Sequence, residues 1–309
     1  MGGLCCSNSP DKITEKTMTE SGPVVLRSTA NPTVRHLIRL RENRYRRKSD
    51  RIIVDGWRET SQAMESGLTL CGVYVREEGA DDLSGTDEEA QSRVVDRANA
   101  VSKKVFVSDA IMEKISFGQS PRGVVAEFER PDRGLDRLKL PKSAFVLVLD
   151  QIEKPGNVGA VFRCADAAGV DAILLSDCQD PFNPNAIRNS LGAIFRVPTA
   201  TGTSESIAKY LAHGGFSVMG ARVESSTPFW SVSWAGSVAV VLGSEAHGLG
   251  ERWKTIPQYV DGKLTGDHIS VPGVRIPMAG KVDSLNISVS AAVIAFEAVR
   301  QRGHAGSSC

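Results

Sequence analysis

Near the C-terminus, Ile276-Pro277-Met278-Ala279-Gly280-Lys281-Val282-Asp283-Ser284-Leu285-Asn286-Ile287-Ser288 sets a polar loop between two segments apolar enough to be core. Ser284 and Asn286 fall where a helix should begin, and either side chain could cap it by accepting from free backbone N–H groups. Capping leaves the loop itself unexplained. Unpaired backbone groups brought beside a core are usually wrapped around a ligand. Two further segments have the same character. Asp150-Gln151-Ile152-Glu153-Lys154-Pro155-Gly156-Asn157-Val158-Gly159 leads into Phe162-Arg163, with Asn157 a candidate helix cap and Arg163 about one and two-thirds turns further on. Gly243-Ser244-Glu245-Ala246-His247-Gly248-Leu249-Gly250 follows a strongly apolar run. Together the three loops could bind a ligand through main-chain groups.

Such loops need a scaffold, and the flanking sequence predicts one. Phe145-Val146-Leu147-Val148-Leu149-Asp150 is a continuous apolar run of the type found in fully buried parallel strands. A helix is expected from Asn157 to Ala168, then a strand Ala172–Ser176, a helix Ala186–Leu191 and a strand Phe195–Ala200. A helix Glu205–Leu211, strands Phe216–Arg222 and Val238–Gly243, a last strand within Val271–Met278 and a closing helix Val289–Val299 follow. This β-α order predicts a parallel sheet with helices on both faces, whose ligand site lies at the C-terminal ends of the strands. All three polar loops sit at such ends.

Asn31 to Arg130 predicts a smaller α/β domain. Its helices are expected from Asn31 through Leu40, over Trp57–Ser66 and around Ile111–Ile115, and its strands at Arg51–Val54, Leu70–Val75, Val105–Val107 and Gly123–Phe128. The acidic stretch Glu77–Asp96 reads as an exposed insertion. The resulting division is a disordered tail 1–28, a first domain 29–130, a Pro/Gly-containing linker 131–142 and a second domain 143–303.

The 309 residues are 41% hydrophobic, enough for two cores, and the formal charge of +1 hides a local asymmetry. Between Arg35 and Arg51 the cations Arg35, Arg39, Arg41, Arg44, Arg46, Arg47, Lys48 and Arg51 face only Glu42 and Asp50. A run of this kind is either a solvated basic helix or a polyanion-binding face. The cysteines Cys5, Cys6, Cys71, Cys164, Cys178 and Cys309 form no Cys-x-x-Cys pair and have no histidine at metal-ligand spacing, the usage of a reducing compartment with no metal site. No apolar run is long enough to span a bilayer and no secretory signal is present, so a cytoplasmic protein is expected. The opening Met1-Gly2-Gly3-Leu4-Cys5-Cys6-Ser7 approaches a myristoylation signal, but its serine falls one position late.

A dinucleotide site is one way to read the first loop, since Asp177 lies about twenty residues beyond Gly156. However, Gly156-Asn157-Val158-Gly159 lacks the G-x-G-x-x-G pattern, and Asn157 and Arg163 have no place in it. All three loops in this order instead resemble the SpoU (TrmH-like) family of RNA ribose 2′-O-methyltransferases. Asn157 through Arg163 with Ala168-Gly169 resembles its first motif, Leu242-Gly243-Ser244-Glu245 with Gly248-Leu249 its second, and Ile276-Pro277-Met278 with Ser284-Leu285-Asn286 its third. Ala246-His247 departs modestly from the second, and the family gives His247 and His268 no fixed role. The first domain is similar to a substrate-binding domain related to ribosomal protein L30e, on Tyr45-Arg46-Arg47-Lys48, Val54-Asp55-Gly56 and Gln119-Ser120-Pro121-Arg122-Gly123. The resemblance runs from about Asn31 to Arg302.

The resemblance implies an α/β catalytic domain whose C-terminal segment forms a deep trefoil knot (the SPOUT type), working as a homodimer with S-adenosylmethionine as cofactor. Main-chain groups of Leu242, Gly243, Ile276, Met278 and Leu285 would hold its adenosine part, with Ser284 and Asn286 beside the methionine end. Arg163, positioned by Asn157, would activate the ribose hydroxyl or grip the neighbouring phosphate, and Glu245 would orient the loops or Arg163. Arg35, Arg39, Arg44, Arg46, Arg47 and Lys48 would contact RNA, and ribosomal RNA is favoured over tRNA. The alternatives are a tRNA methyltransferase and a non-catalytic RNA-binding or assembly protein of the same fold.

Overall fold

A computed structural model describes residues 25–77, 86–118, 121–178, 180–224, 226–244 and 248–303. The first domain runs β1 (Val25–Leu26), α1 (Pro32–Arg39), α2 (Asn43–Ser49), β2 (Arg51–Asp55), α3 (Trp57–Glu65), β3 (Leu70–Arg76), α4 (Thr86–Ala100), β4 (Lys104–Val107), α5 (Asp109–Ile115) and β5 (Val124–Glu129). Its sheet has the order β1-β4-β3-β5-β2, parallel at β1-β4 and β4-β3 and antiparallel on both sides of β5. The first strand lies inside the segment expected to be a disordered tail. Pairing of Val25 and Leu26 with Phe106 and Val107 fixes the chain that early, while the preceding 24 residues, with the myristoylation-like start, lie outside the described residues.

The second domain runs β6 (Phe145–Asp150), α6 (Pro155–Ala168), β7 (Ala172–Ser176), α7 (Pro184–Asn189), α8 (Ala193–Arg196), β8 (Thr199–Gly202), α9 (Ser204–His213) and β9 (Ser217–Ala221). It continues through β10 (Ser226–Pro228), β11 (Val238–Leu242), β12 (Thr255–Val260), β13 (Lys263–Ser270), β14 (Gly273–Arg275) and α10 (Ile287–Arg302). Seven strands form one parallel sheet in the order β10-β14-β9-β11-β6-β7-β8. The chain therefore leaves β9 for the edge at β10, returns to the centre at β11, and goes out again to slot β14 between β9 and β10. Strands β12 and β13 make a separate antiparallel hairpin.

The alternation of β6 explains the two-sided burial. Phe145, Leu147 and Leu149 face a cluster with α6 and α10, while Val146 and Val148 face one with α9, Trp253 and Ile256. The first of these clusters continues into the other domain through Ile52, Val54, Trp57 and Phe128, so the domains share apolar packing. The expected linker is also packed down: Leu135, Leu138 and Leu140 lie against the sheet's other face, and Arg133 accepts at its carbonyl from the Thr201 N–H at 2.7 Å.

Local departures from expectation have local causes. Phe195–Ala200 is not one strand, because Gly192, in the left-handed region at φ 80°, starts a helical turn over Ala193–Arg196 and the strand begins only after Pro198. The acidic stretch is not simply an exposed insertion: α4 buries Ala90, Val94 and Ala98, one helical face, against the core. Residues 78–85 of that stretch, and Gln119-Ser120 of the L30e-like signature, lie outside the described residues.

Candidate active site

The site is assembled at the C-terminal ends of β6, β9 and β11 and at the start of α10. Pro155 occupies the first turn of α6, a position that suits its fixed φ and missing N–H. Lys154 is therefore the cap residue and Asn157 is helical, which corrects its expected capping role. Gly159 is required by close approach: a Cβ there would stand 2.4 Å from the Ala186 carbonyl oxygen on α7. Asn286 does cap α10, accepting from the Ser288 N–H at 2.9 Å through Oδ1. Its Nδ2 donates to Asn157 Oδ1 at 3.2 Å, so a single amide ties the first turns of α6 and α10 together. The third loop and the first, 129 positions apart, thus meet directly.

Arg163 lies further along α6, exposed, and makes no hydrogen bond or ion pair among the described residues. Beneath the first loop, Asp150 is fully buried and accepts from Ser176 Oγ at 2.7 Å and from Arg252 Nη2 at 2.8 Å. This carboxylate fastens two neighbouring strand ends and the segment after β11 to one point.

A cavity of about 790 Å³ opens beside these elements, within the 300–1,000 Å³ range common for small-ligand sites. Leu242, Gly243, Ser284 and Leu285, all singled out in the sequence, line it; Ile276 and Met278 do not. Ile276 packs instead against the apolar cluster, and Met278 is half-buried. A Cβ on Gly243 would stand 2.4 Å from the Gly248 backbone, so the second loop folds tightly only with glycine there. Glu245, Ala246 and His247 lie outside the described residues.

Sequence reasoning missed Arg222, Glu224, Lys254 and Ser270 in the lining. Arg222 directly follows β9, so a strand-end rule applied to β9 as well as to β6 and β11 would have found it. The walls are apolar at Leu242, Leu249 and Ile287, hydroxylic at Ser244, Ser284 and Ser290, and carry both signs of charge at Glu224, Glu251, Arg222 and Lys254. That mixture suits a zwitterionic ligand with a flat apolar part, and an adenosine joined to an amino acid through a sulfonium is such a ligand.

The basic segment divides. Arg35, Arg39, Arg44, Arg47 and Lys48 are exposed on α1 and α2. Arg46, expected to contact RNA, is fully buried: Nε donates to Asp180 Oδ2 at 2.8 Å and Nη1 to the carbonyls of Leu40 and Arg41, each at 2.8 Å. Its role is to join the domains, for Asp180 belongs to the second and also pairs with Arg130 at 3.1 Å. Among the described residues no helix is long and apolar enough to cross a membrane.

A parallel α/β domain with a strand-end cavity beside a capped helix, joined to a smaller α/β domain that exposes a basic helical segment, suits an RNA-modifying transferase. The SpoU rRNA Methylase family matches residues 144–296, and an MRM3-like substrate binding domain matches residues 31–126. The chain belongs to the SpoU rRNA methylase family, whose members use S-adenosylmethionine. It is 24% identical over 272 residues, 88% of this chain and 97% of the relative, to the 23S rRNA (guanosine(2553)-2'-O)-methyltransferase RlmP of Bacillus subtilis. It is 27% identical to the 23S rRNA (uridine(2479)-2'-O)-methyltransferase of Streptomyces viridochromogenes, over 83% of this chain and 85% of that one. A crystal structure described as an RNA 2'-O ribose methyltransferase superposes with a TM-score of 0.73 at 32% identity, covering 90% of this chain and 99% of that one.

Proposed function

We propose that this protein transfers a methyl group from S-adenosylmethionine to a ribose 2′-hydroxyl of ribosomal RNA. The observation that carries the reading is the junction of the three loops: Asn286 bridges α10 to Asn157, and Ser284, Leu285, Leu242 and Gly243 line the adjoining cavity. Bound there, S-adenosylmethionine supplies an electrophilic methyl group. Leu242, Gly243 and Leu285, which line the cavity, hold its adenosine part. Ser284 and Asn286 face the methionine end, and Glu245 orients the second loop. With the donor bound, the ribose oxygen would take the methyl group as the carbon–sulfur bond breaks and the neutral thioether S-adenosylhomocysteine leaves, and the hydroxyl proton would pass to solvent.

Arg163 serves this step by gripping the phosphate next to the target ribose. A guanidinium stays protonated, and its planar fork matches a phosphate. Its exposure, with no partner among the described residues, supports this role. Arg35, Arg39, Arg44, Arg47 and Lys48 extend the contact along the RNA. A second copy covers the outer face of α10, where Val289 and Phe296, two turns apart, are 46% and 51% exposed. The excursion of β14 between β9 and β10 supports a knotted path for the C-terminal segment. The free thiols Cys71, Cys164 and Cys178 support residence in a reducing compartment, the cytoplasm.

Methyl transfer from labelled S-adenosylmethionine to ribosomal RNA tests the reading. The expected result is 2′-O-methylation by the wild-type protein and a loss of roughly 10²-fold in turnover for Arg163→Ala at saturating cofactor. Binding of RNA without binding of S-adenosylmethionine would make the protein a non-catalytic member of its fold, and near-normal turnover by Arg163→Ala would remove Arg163 from the reaction.

A further inference from the structure

We infer that a cleft between the two domains, separate from the cofactor cavity but touching it, seats the target nucleotide itself, with Arg47 on its phosphate and Glu153 on the donor edge of its base. This rests on the methyltransferase reading above and adds to it where the RNA is gripped and which base is chosen.

The cleft encloses about 450 Å³, room for a single nucleotide rather than a duplex. Asn43 and Arg47 of α2 form one wall, and Gln151, Glu153 and Cys178, at the ends of β6 and β7, form the other. Ser244 lines both this cleft and the cofactor cavity, so a nucleotide seated here lies next to the methyl donor.

The walls are held in place from behind. Arg46, fully buried on Asp180, fixes α2 to the second domain and leaves its neighbour Arg47 exposed at the cleft. On the opposite side, Cys178 Sγ donates to the Leu149 carbonyl at 2.9 Å and accepts from the Ile152 N–H at 3.3 Å, locking the Gln151–Glu153 turn. Burial pushes that thiol up to about 12, so it remains a proton-bearing donor. Gln151 and Asp177 both hold left-handed backbone, at φ 54° and 48°, a cost that folds tend to retain where side chains must be aimed. Asn43 Oδ1, shielded from water, has no hydrogen-bond partner among the described residues, and turning the amide into the cleft would give it one.

Charge identifies the occupant. A groove for RNA backbone alone would be uniformly basic, but among the described residues this lining holds one cation, Arg47, with the carboxylates of Glu153 and Asp177. Asp177 is partly spent, accepting from the Ser204 N–H at 2.9 Å at the start of α9. Glu153 is exposed. A nucleotide matches this layout, being anionic at the phosphate and able to donate from the base. Uracil offers one N–H between two carbonyls, which a carboxylate repels. Guanine sets N1–H and the N2 amino group side by side, one donor for each carboxylate oxygen. The cleft therefore selects guanosine over uridine. Reaching it requires the nucleotide to leave the stack, as enzymes acting on single nucleotides commonly demand.

The test uses the full-length protein and ribosomal RNA from cells lacking it, with Arg47→Ala and Glu153→Gln beside the wild type. If the wild type transfers no methyl group to this RNA, the methyltransferase reading fails and takes the cleft with it. If the wild type is active, both variants are expected to raise KM for RNA about tenfold or more, with kcat within about threefold and cofactor affinity unchanged by calorimetry. Arg47→Ala should also lower the salt slope of RNA binding by about one, whereas Glu153→Gln should leave it unaltered. Unchanged KM in both variants overturns the cleft. Digestion of the product followed by mass spectrometry should show 2′-O-methylguanosine, and 2′-O-methyluridine would overturn the choice of base.

Discussion

At the scale of the residue, the most instructive pair is Arg46 and Arg47, adjacent in sequence and opposite in environment. One is fully buried on Asp180 and two carbonyls, while the other is exposed at the interdomain cleft. Arg46→Ala would leave Asp180 Oδ2 without its cation, while Arg130 and the Phe182 N–H both contact the other oxygen. Removing one member of a buried pair is expected to cost about 3 kcal/mol of unfolding free energy, against less than about 0.5 kcal/mol for Arg47→Ala. Urea denaturation of the two variants separates them, and equal midpoints would refute the division of labour. Sequence alone could count the cations of this segment but could not tell which one turns inward. The anion that decides it lies 134 positions away, in another domain. The amide pair Asn157 and Asn286 is the opposite case: both stand out in sequence at the polar entry to a helix after a strand, although only their contact shows that one amide serves two helices.

At the scale of the element, the site was legible wherever chain chemistry is local. Strongly apolar β6 and β11, the glycine-bearing turns after them and the asparagine before α10 are all written in consecutive residues. Misreadings arose where short-range signals compete. Pro155 starts α6 two residues before Asn157, an apolar run broken by Pro198 divides between α8 and β8, and the stripe Ala90-Val94-Ala98 is hidden among the charges of α4. The β12–β13 hairpin was missed because all eight residues of β13 are exposed, and no core-facing alternation marks it. Helix α10 also carries its own prediction. Phe296→Asp places a charge on the proposed dimer face without touching the buried stripe Ala291, Ile294, Ala295 and Ala298. Sedimentation should show a dimer for the wild type and a monomer for the variant. A wild type that sediments as a monomer would remove the second copy from the account.

At the scale of the whole molecule, the two domains share one apolar cluster, with a titratable contact at the seam. Asp55, at the end of β2, accepts from the Phe117 N–H at 2.8 Å and lies 3.5 Å from Arg188 of α7 in the other domain. Burial raises its carboxyl from 3.8 to about 6, against the opposing pull of the Phe117 N–H, Arg188 and Arg122, with Glu59 adding to the rise. The folded protein therefore holds a proton that the unfolded chain releases, so this contribution is complete below about pH 4 and is lost as pH rises through about 6. Relative to Asp55→Asn, the wild type should lose about 2 kcal/mol of stability between pH 4 and pH 7, measured by denaturation at steps across that range. A constant difference would sink the argument. The shared apolar cluster and the bond from Arg46 to Asp180 bear on how such proteins can be recombined. Substrate domains are often thought of as interchangeable heads on a common engine. A chimera placing this head on another catalytic domain would import a buried cation without its anion and half of a continuous core without the rest. Retargeting this protein to a new RNA therefore belongs at the mouth of the cleft, on α2 and the turn after β6, and not at the boundary between its domains.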